Sequence, residues 1–115
     1  MTPQEALKKL EANRATIEKY GAQIREARIE FVKREAALID AENNARERFF
    51  TGEAKDVKVS SLREWMKWET MNEAREKYHA EQKLKGLHEG FEIVIEVNNI
   101  LKTQIRLMEL EVHNL

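Results

Sequence analysis

Cysteine is absent from this chain, and proline occurs once and glycine four times in 115 residues. Without thiols there is neither a disulfide framework nor a thiolate metal site, a pattern that fits an intracellular protein. So few turn-forming residues exclude a loop-rich fold, while a hydrophobic share of 42% is too high for disorder. One-sided charge is missing as well: 20 Lys and Arg stand against 21 Asp and Glu, giving a net charge of −1. No whole-protein field marks a nucleic-acid binder or an acidic mimic, so any charge-based function has to be local. Long apolar runs are also lacking. The opening residues, MTPQEALKKLEANR, hold no signal-peptide core, and no later stretch offers the ~20 apolar residues of a bilayer span. The expectation is one all-α domain over residues 1–115, working in the cytoplasm and not in a membrane.

Helical periodicity is what the chain does have, in two long stretches separated by Thr51-Gly52. Thr2-Pro3-Gln4-Glu5 is a start signal: Thr2 caps, Pro3 suits the first helical position and Glu5 reaches back. Leu10, Ile17, Ile24, Phe31, Leu38 and Ala45 then recur every seven residues. Ala6, Asn13, Tyr20, Ala27, Arg34 and Ala41 alternate with them at three-four spacing, so the two rows make one seam. A second stripe, Ile29, Val32, Ala36 and Ile39, runs beside it. Pairs such as Glu30 with Arg34 and Glu42 with Arg46 have the spacing of helical surface ion pairs. Phe49-Phe50-Thr51-Gly52 ends the helix, with Gly52 available for a left-handed cap and Glu53 to Val59 as the connection.

Ser61 and Glu64 have capping-box spacing and restart a helix. Leu84, Leu87, Phe91, Val94, Asn98, Leu101, Ile105, Met108, Val112 and Leu115 keep heptad phase along it, with Asn98 the single polar member. Phe91 to Val97 also alternates like a strand, but the heptad passes through it without a slip. Gly86 and Gly90 each cost roughly 1 kcal/mol in a helix interior. They share a face with Ile93, Val97 and Ile100 that has room for a close neighbour, and a hinge near 86–90 is the alternative. The fold expected is a long antiparallel helical hairpin, with helices over about 3–50 and 61–113. A lone hairpin covers one stripe per helix, so a homodimer forming a four-helix bundle is expected. Its interface is assigned to Ile29, Val32, Ile39, Phe91, Val94, Asn98, Leu101 and Ile105.

For catalysis the chain is poor: it has no cysteine nucleophile, no glycine-rich phosphate loop and only three histidines, His79, His88 and His113. Glu76-x-x-His79 is the carboxylate-histidine pair that di-iron helical bundles carry twice, present here in one copy. The expectation is a non-enzyme with no cofactor and no metal. Chemistry concentrates instead at the hairpin tip. There Phe49, Phe50, Trp65 and Trp68 are interleaved with Arg46, Arg48, Arg63 and Lys67. Three uses are open to such a set. The rings can pack to close the bundle, form the hot spot for a protein partner, or stack on the bases of a single-stranded nucleic acid while the cations follow its phosphates.

From about Ala45 to Leu107, the stretch VSSLREWMKWETMNEAREKYHAEQKLKGL with its heptad tail resembles short helical proteins of phages and prophages. Many of these are encoded among recombination or replication genes. The resemblance covers a little over half the chain and transfers no functional residues. It implies a non-enzymatic accessory role in a bacterial cell, with a recombination protein or a host defence component as the partner.

Overall fold

The structure, a computed structural model, describes residues 2–52 and 57–113. It contains three α-helices and one short 3-10 turn: α1 is Pro3–Phe50, the 3-10 turn is Val59–Ser61, α2 is Leu62–Glu69 and α3 is Met71–His113. No strand occurs among the described residues. Phe91 to Val97 is helical, because there the three-four spacing of the seam outweighs β-branched composition. The fold is the expected helical hairpin, α1 forming one arm and α2 with α3 the other. No helix of the described residues is long and apolar enough to cross a membrane.

Both ends of α1 follow their local chemistry. The Glu5 N–H donates to Thr2 Oγ1 at 3.2 Å, and the Thr2 N–H donates to Glu5 Oε2 at 3.3 Å, closing the capping box. At the far end the Thr51 N–H donates to the Glu47 carbonyl, and Gly52 turns the chain with φ of 104°, which glycine adopts at no steric penalty. Part of the connection, residues 53–56, lies outside the described residues, as does Leu115 of the heptad.

The second arm differs from expectation at two points. Ser61 makes no side-chain capping bond, because it ends the 3-10 turn with its own N–H donating to the Lys58 carbonyl at 2.8 Å. The interruption of the arm falls at Thr70, and α3 runs through Gly86 and Gly90 without a break. Thr70 adopts φ −109° and ψ 16°, and its hydroxyl donates to the Met66 carbonyl at 2.7 Å. The Thr70 N–H donates to that same carbonyl. Thr16 and Thr103 make the same backward bond inside unbroken helix, so what marks the interruption is the backbone conformation of Thr70. The ladder resumes at once, the Ala74 N–H donating to the Thr70 carbonyl.

Two compact units make up the hairpin. In the unit of Met1–Glu26 with Lys85–Leu115, Ala6, Ile24 and Leu101 are buried, and Asn98 is buried among them at 8% exposure. Tyr20 meets Phe91 with ring centroids 6.4 Å apart. Pro3 and Leu7 lie beside Ile105 and Met108, and Ala12 and Asn13 lie beside Val97 and Leu101, as an antiparallel pair requires. In the unit of Ala27–Leu84, the buried residues are Ala27, Ala45, Phe49, Thr70 and Ala80. Arg34 bridges Glu30 on its own helix and Glu76 on α3, each at 2.7 Å, and Glu35 faces Lys77 at 3.9 Å. The hydrogen bond that Arg34 donates to Glu30, and then the charge of Glu76, raise the pKa of the Arg34 guanidinium. Every predicted seam position of α1 is buried or half-buried, while Ile29, Val32, Ala36 and Ile39 are exposed.

The glycines explain why α3 stays whole. A methyl group on Gly90 would lie 2.8 Å from the Tyr20 hydroxyl and 3.0 Å from its ring, so the bare backbone there admits the tyrosine. Around Gly86 nothing lies within 4 Å. Gly86→Ala is therefore expected to stabilise the chain by roughly 0.5–1 kcal/mol, the helix-propensity difference. That raises the thermal midpoint by about 4 °C. Gly90→Ala gives the same propensity gain but displaces Tyr20, and is expected to fall clearly below Gly86→Ala. Equal stabilisation of the two variants in thermal melts would show that the Tyr20 contact is absent in solution.

Candidate functional site

The hairpin tip is built by the last turns of α1, the 3-10 turn and α2, all within the Ala27–Leu84 unit. Phe49 is its anchor: only 7% exposed, it meets Phe50 edge-on at 5.3 Å and Trp65 at 5.6 Å between ring centroids. Arg48 closes this cluster from the side. Its guanidinium carbon lies 5.7 Å from the Trp65 ring centroid, and its Nη1 reaches Glu69 Oε2 at 3.3 Å. A cation held over the indole by a carboxylate stabilises the ring where it packs and takes up one ring face. Phe49, Trp65 and Arg48 thus join α2 to the end of α1. Phe50 borders the cluster with its ring 65% exposed, and Trp68 remains outside it at 73% exposure.

The other three cations lie elsewhere. Arg46, Arg63 and Lys67 line a cleft of about 460 Å³ whose further lining is Glu42, Leu62, Met66 and Thr70. Along α2, 100° per residue sets Leu62 and Met66 in one row and Arg63 with Lys67 in the next, while Trp65 and Trp68 point away from the cationic row. Six of the eight tip residues named from sequence therefore form two sites, with Phe50 at the edge of the first and Trp68 in neither. One is an aromatic latch with Arg48 built into it, and the other is a cationic cleft with no aromatic ring on its wall. Sequence reading did not single out the cleft's floor. Its signal was the four-residue spacing of Leu62, Met66 and Thr70, which marks one face of α2 running into the kink.

Among the described residues no ion pair joins Glu42 to Arg46, although their spacing allows one. Glu76 and His79 both border a shallow depression with Arg34 and Lys83, and the Glu76 carboxylate there accepts from Arg34. No three His, Cys, Asp or Glu side chains group to hold a metal ion among the described residues.

The residues assigned to an oligomer interface also separate. Phe91, Val94, Asn98, Leu101 and Ile105 are buried or half-buried in the hairpin's own seam. Ile29, Val32 and Ile39 are on the outer face of α1, at least half exposed. In the other unit, Ile93, Val97, Ile100 and Leu107 are exposed on α3, spaced at four, three and seven residues.

Fold and tip together define a small helical-hairpin protein with a cationic cleft. Comparison with known protein families, with curated proteins and with solved structures gives no match.

Proposed function

We propose that this chain is a non-enzymatic interaction protein that pairs with a second copy through its outer apolar faces and binds a protein partner at its tip. The observation that carries the reading is the row of aliphatic residues left outside each helix at helical spacing. Ile29, Val32 and Ile39 stand on α1, and Ile93, Val97 and Ile100 on α3. No large side chain is fully buried among the described residues, and four of the seven buried apolar residues are alanines. The accessible area is 9205 Å² for 13.5 kDa, where a compact monomer of that mass exposes about 6,500 Å². That excess exceeds the ~800 Å² per partner of an ordinary stable interface. A homodimer forming a four-helix bundle would cover part of it, the inner seam being left to the hairpin.

Light scattering on a sizing column checks the pairing: a dimeric mass that holds down to micromolar concentration is expected. A monomer at that concentration defeats the bundle. For a chain encoded by a phage, the tip's partner is a recombination protein or a host defence component in the bacterial cytoplasm. The exposed rings of Phe50 and Trp68 favour a second reading, an accessory protein for single-stranded nucleic acid. It ranks second because Trp65 is already engaged by Arg48 and Phe49, and because Arg63 and Lys67 are on a different flank of α2 from Trp68.

A further inference from the structure

Arg46, Arg63 and Lys67 surround one cleft, and none of the three forms an ion pair among the described residues. Arg34 and Arg48 in the same unit, by contrast, are both engaged by carboxylates. The local excess of cations is not inherited from the chain, whose net charge is −1. Among the described residues Glu42 is the single acid on the wall. Below the cations, Leu62 and Met66 are half-buried, and the buried Thr70 hydroxyl already donates to the Met66 carbonyl, so the floor acts as apolar surface. We infer that the cleft takes an acidic segment of a partner protein, with carboxylates one helical turn apart meeting Arg63 and Lys67 and an aliphatic side chain seated on Leu62 and Met66. This rests on the reading of the tip as a protein-binding end and names the chemistry of that partner.

Charge complementarity selects this occupant. Guanidinium groups bind carboxylates through paired, charge-assisted hydrogen bonds, and cations without an ion pair among the described residues gain most from an acidic partner. A methionine beside a leucine adapts to aliphatic anchors of differing shape. The volume of about 460 Å³ holds a side chain with its flanking groups and falls within the usual range of ligand clefts. A single-stranded nucleic acid would meet the same cations without a ring to stack on, forgoing about 1–3 kcal/mol per base.

The test uses the full chain and a short fluorescein-labelled peptide rich in Asp and Glu, with two leucines one helical turn apart. Its Asn and Gln counterpart and a labelled single-stranded oligonucleotide are run beside it at low and moderate salt. Expected are binding of the acidic peptide, weakening as salt rises, no binding of the amide peptide, and at least a tenfold loss in the combined Arg46→Gln, Arg63→Gln, Lys67→Gln variant. Circular dichroism should show that variant as helical as the parent, since all three side chains are exposed. Trp68→Ala should bind as the parent does. A peptide that fails to bind the parent protein, or binds the triple variant equally well, overturns the inference. So does an oligonucleotide that binds through these residues where the peptide does not. Mass measured on the same samples keeps the two readings apart: a dimer that ignores the peptide sinks the cleft and leaves self-association standing, whereas a monomer that binds it does the reverse.

Discussion

Phe49→Ala is expected to remove about 3 kcal/mol of stability and to free α2 from the end of α1. The ring is nearly enclosed and makes two edge contacts, to Phe50 and Trp65. Each such contact contributes about 0.5–1.5 kcal/mol beyond the area it buries. The effect is large because the core is thin: alanines fill most of the other buried apolar positions, so no neighbouring side chain can move in to fill the space. Trp65 and the Arg48 guanidinium would lose the surface against which they are held. The signature is therefore local as well as global, a red shift in tryptophan emission together with an earlier denaturant midpoint at fixed protein concentration. Phe50→Ala serves as the comparison. Its ring is 65% exposed and touches only one edge of the cluster, so the loss should stay below about 1.5 kcal/mol. Equal losses from the two substitutions would mean that Phe49 is not the latch.

The seam could be read from sequence because burial in an antiparallel helix pair is periodic. Leu10, Ile17, Ile24, Phe31, Leu38 and Ala45 face inward, and so do Leu84 through Met108 in their heptad, since three-four spacing fixes the side a residue takes. Even Asn13 and Arg34 follow the phase, position outranking polarity. The kink was not legible, because propensity points to the wrong residues. Gly86 and Gly90 are the weakest helix formers of α3, yet both stay helical: Gly90 makes room for Tyr20, and Gly86 costs less than one broken turn. The arm is interrupted at Thr70, whose hydroxyl bond back to Met66 is one that Thr16 and Thr103 also make inside unbroken helix, so residue type gives no warning of it. Likewise the capping box at Ser61 has the right spacing but loses to the 3-10 turn that uses the serine.

At the tip the residue types were legible and their grouping was not. Aromatics and cations that alternate along the chain read as one mixed surface. A helix turning 100° per residue separates them, so Arg63 and Lys67 join Arg46 across the cleft while Trp65 turns to Phe49. Arg48 and Arg46 part in the same way at the end of α1, one over an indole and the other beside Glu42. The consequence for binding is specific. Charge and stacking are available at the tip, but on different flanks, which suits a partner that needs the first and not the second.

The double substitution Ile93→Lys, Ile100→Lys is expected to convert the proposed dimer to a monomer without loss of helix. Both side chains are more than half exposed on the outer face of α3, so the hairpin itself makes little use of them. Each new ammonium would follow a glutamate by four residues, Glu89 and Glu96 respectively, the orientation in which a surface pair supports a helix by about 0.2–0.5 kcal/mol. In the proposed dimer the same change would remove two isoleucines from the interface, worth about 1.5–3 kcal/mol apiece, and set charge against apolar surface. The sum is at least about 4 kcal/mol, or roughly a thousandfold in dissociation constant. Sedimentation or light scattering over a concentration series, paired with far-ultraviolet circular dichroism, separates the outcomes. A helical monomer places α3's outer face in the interface. A dimer as tight as the parent's excludes that face, and Ile29, Val32 and Ile39 on α1 would then have to carry the pairing by themselves.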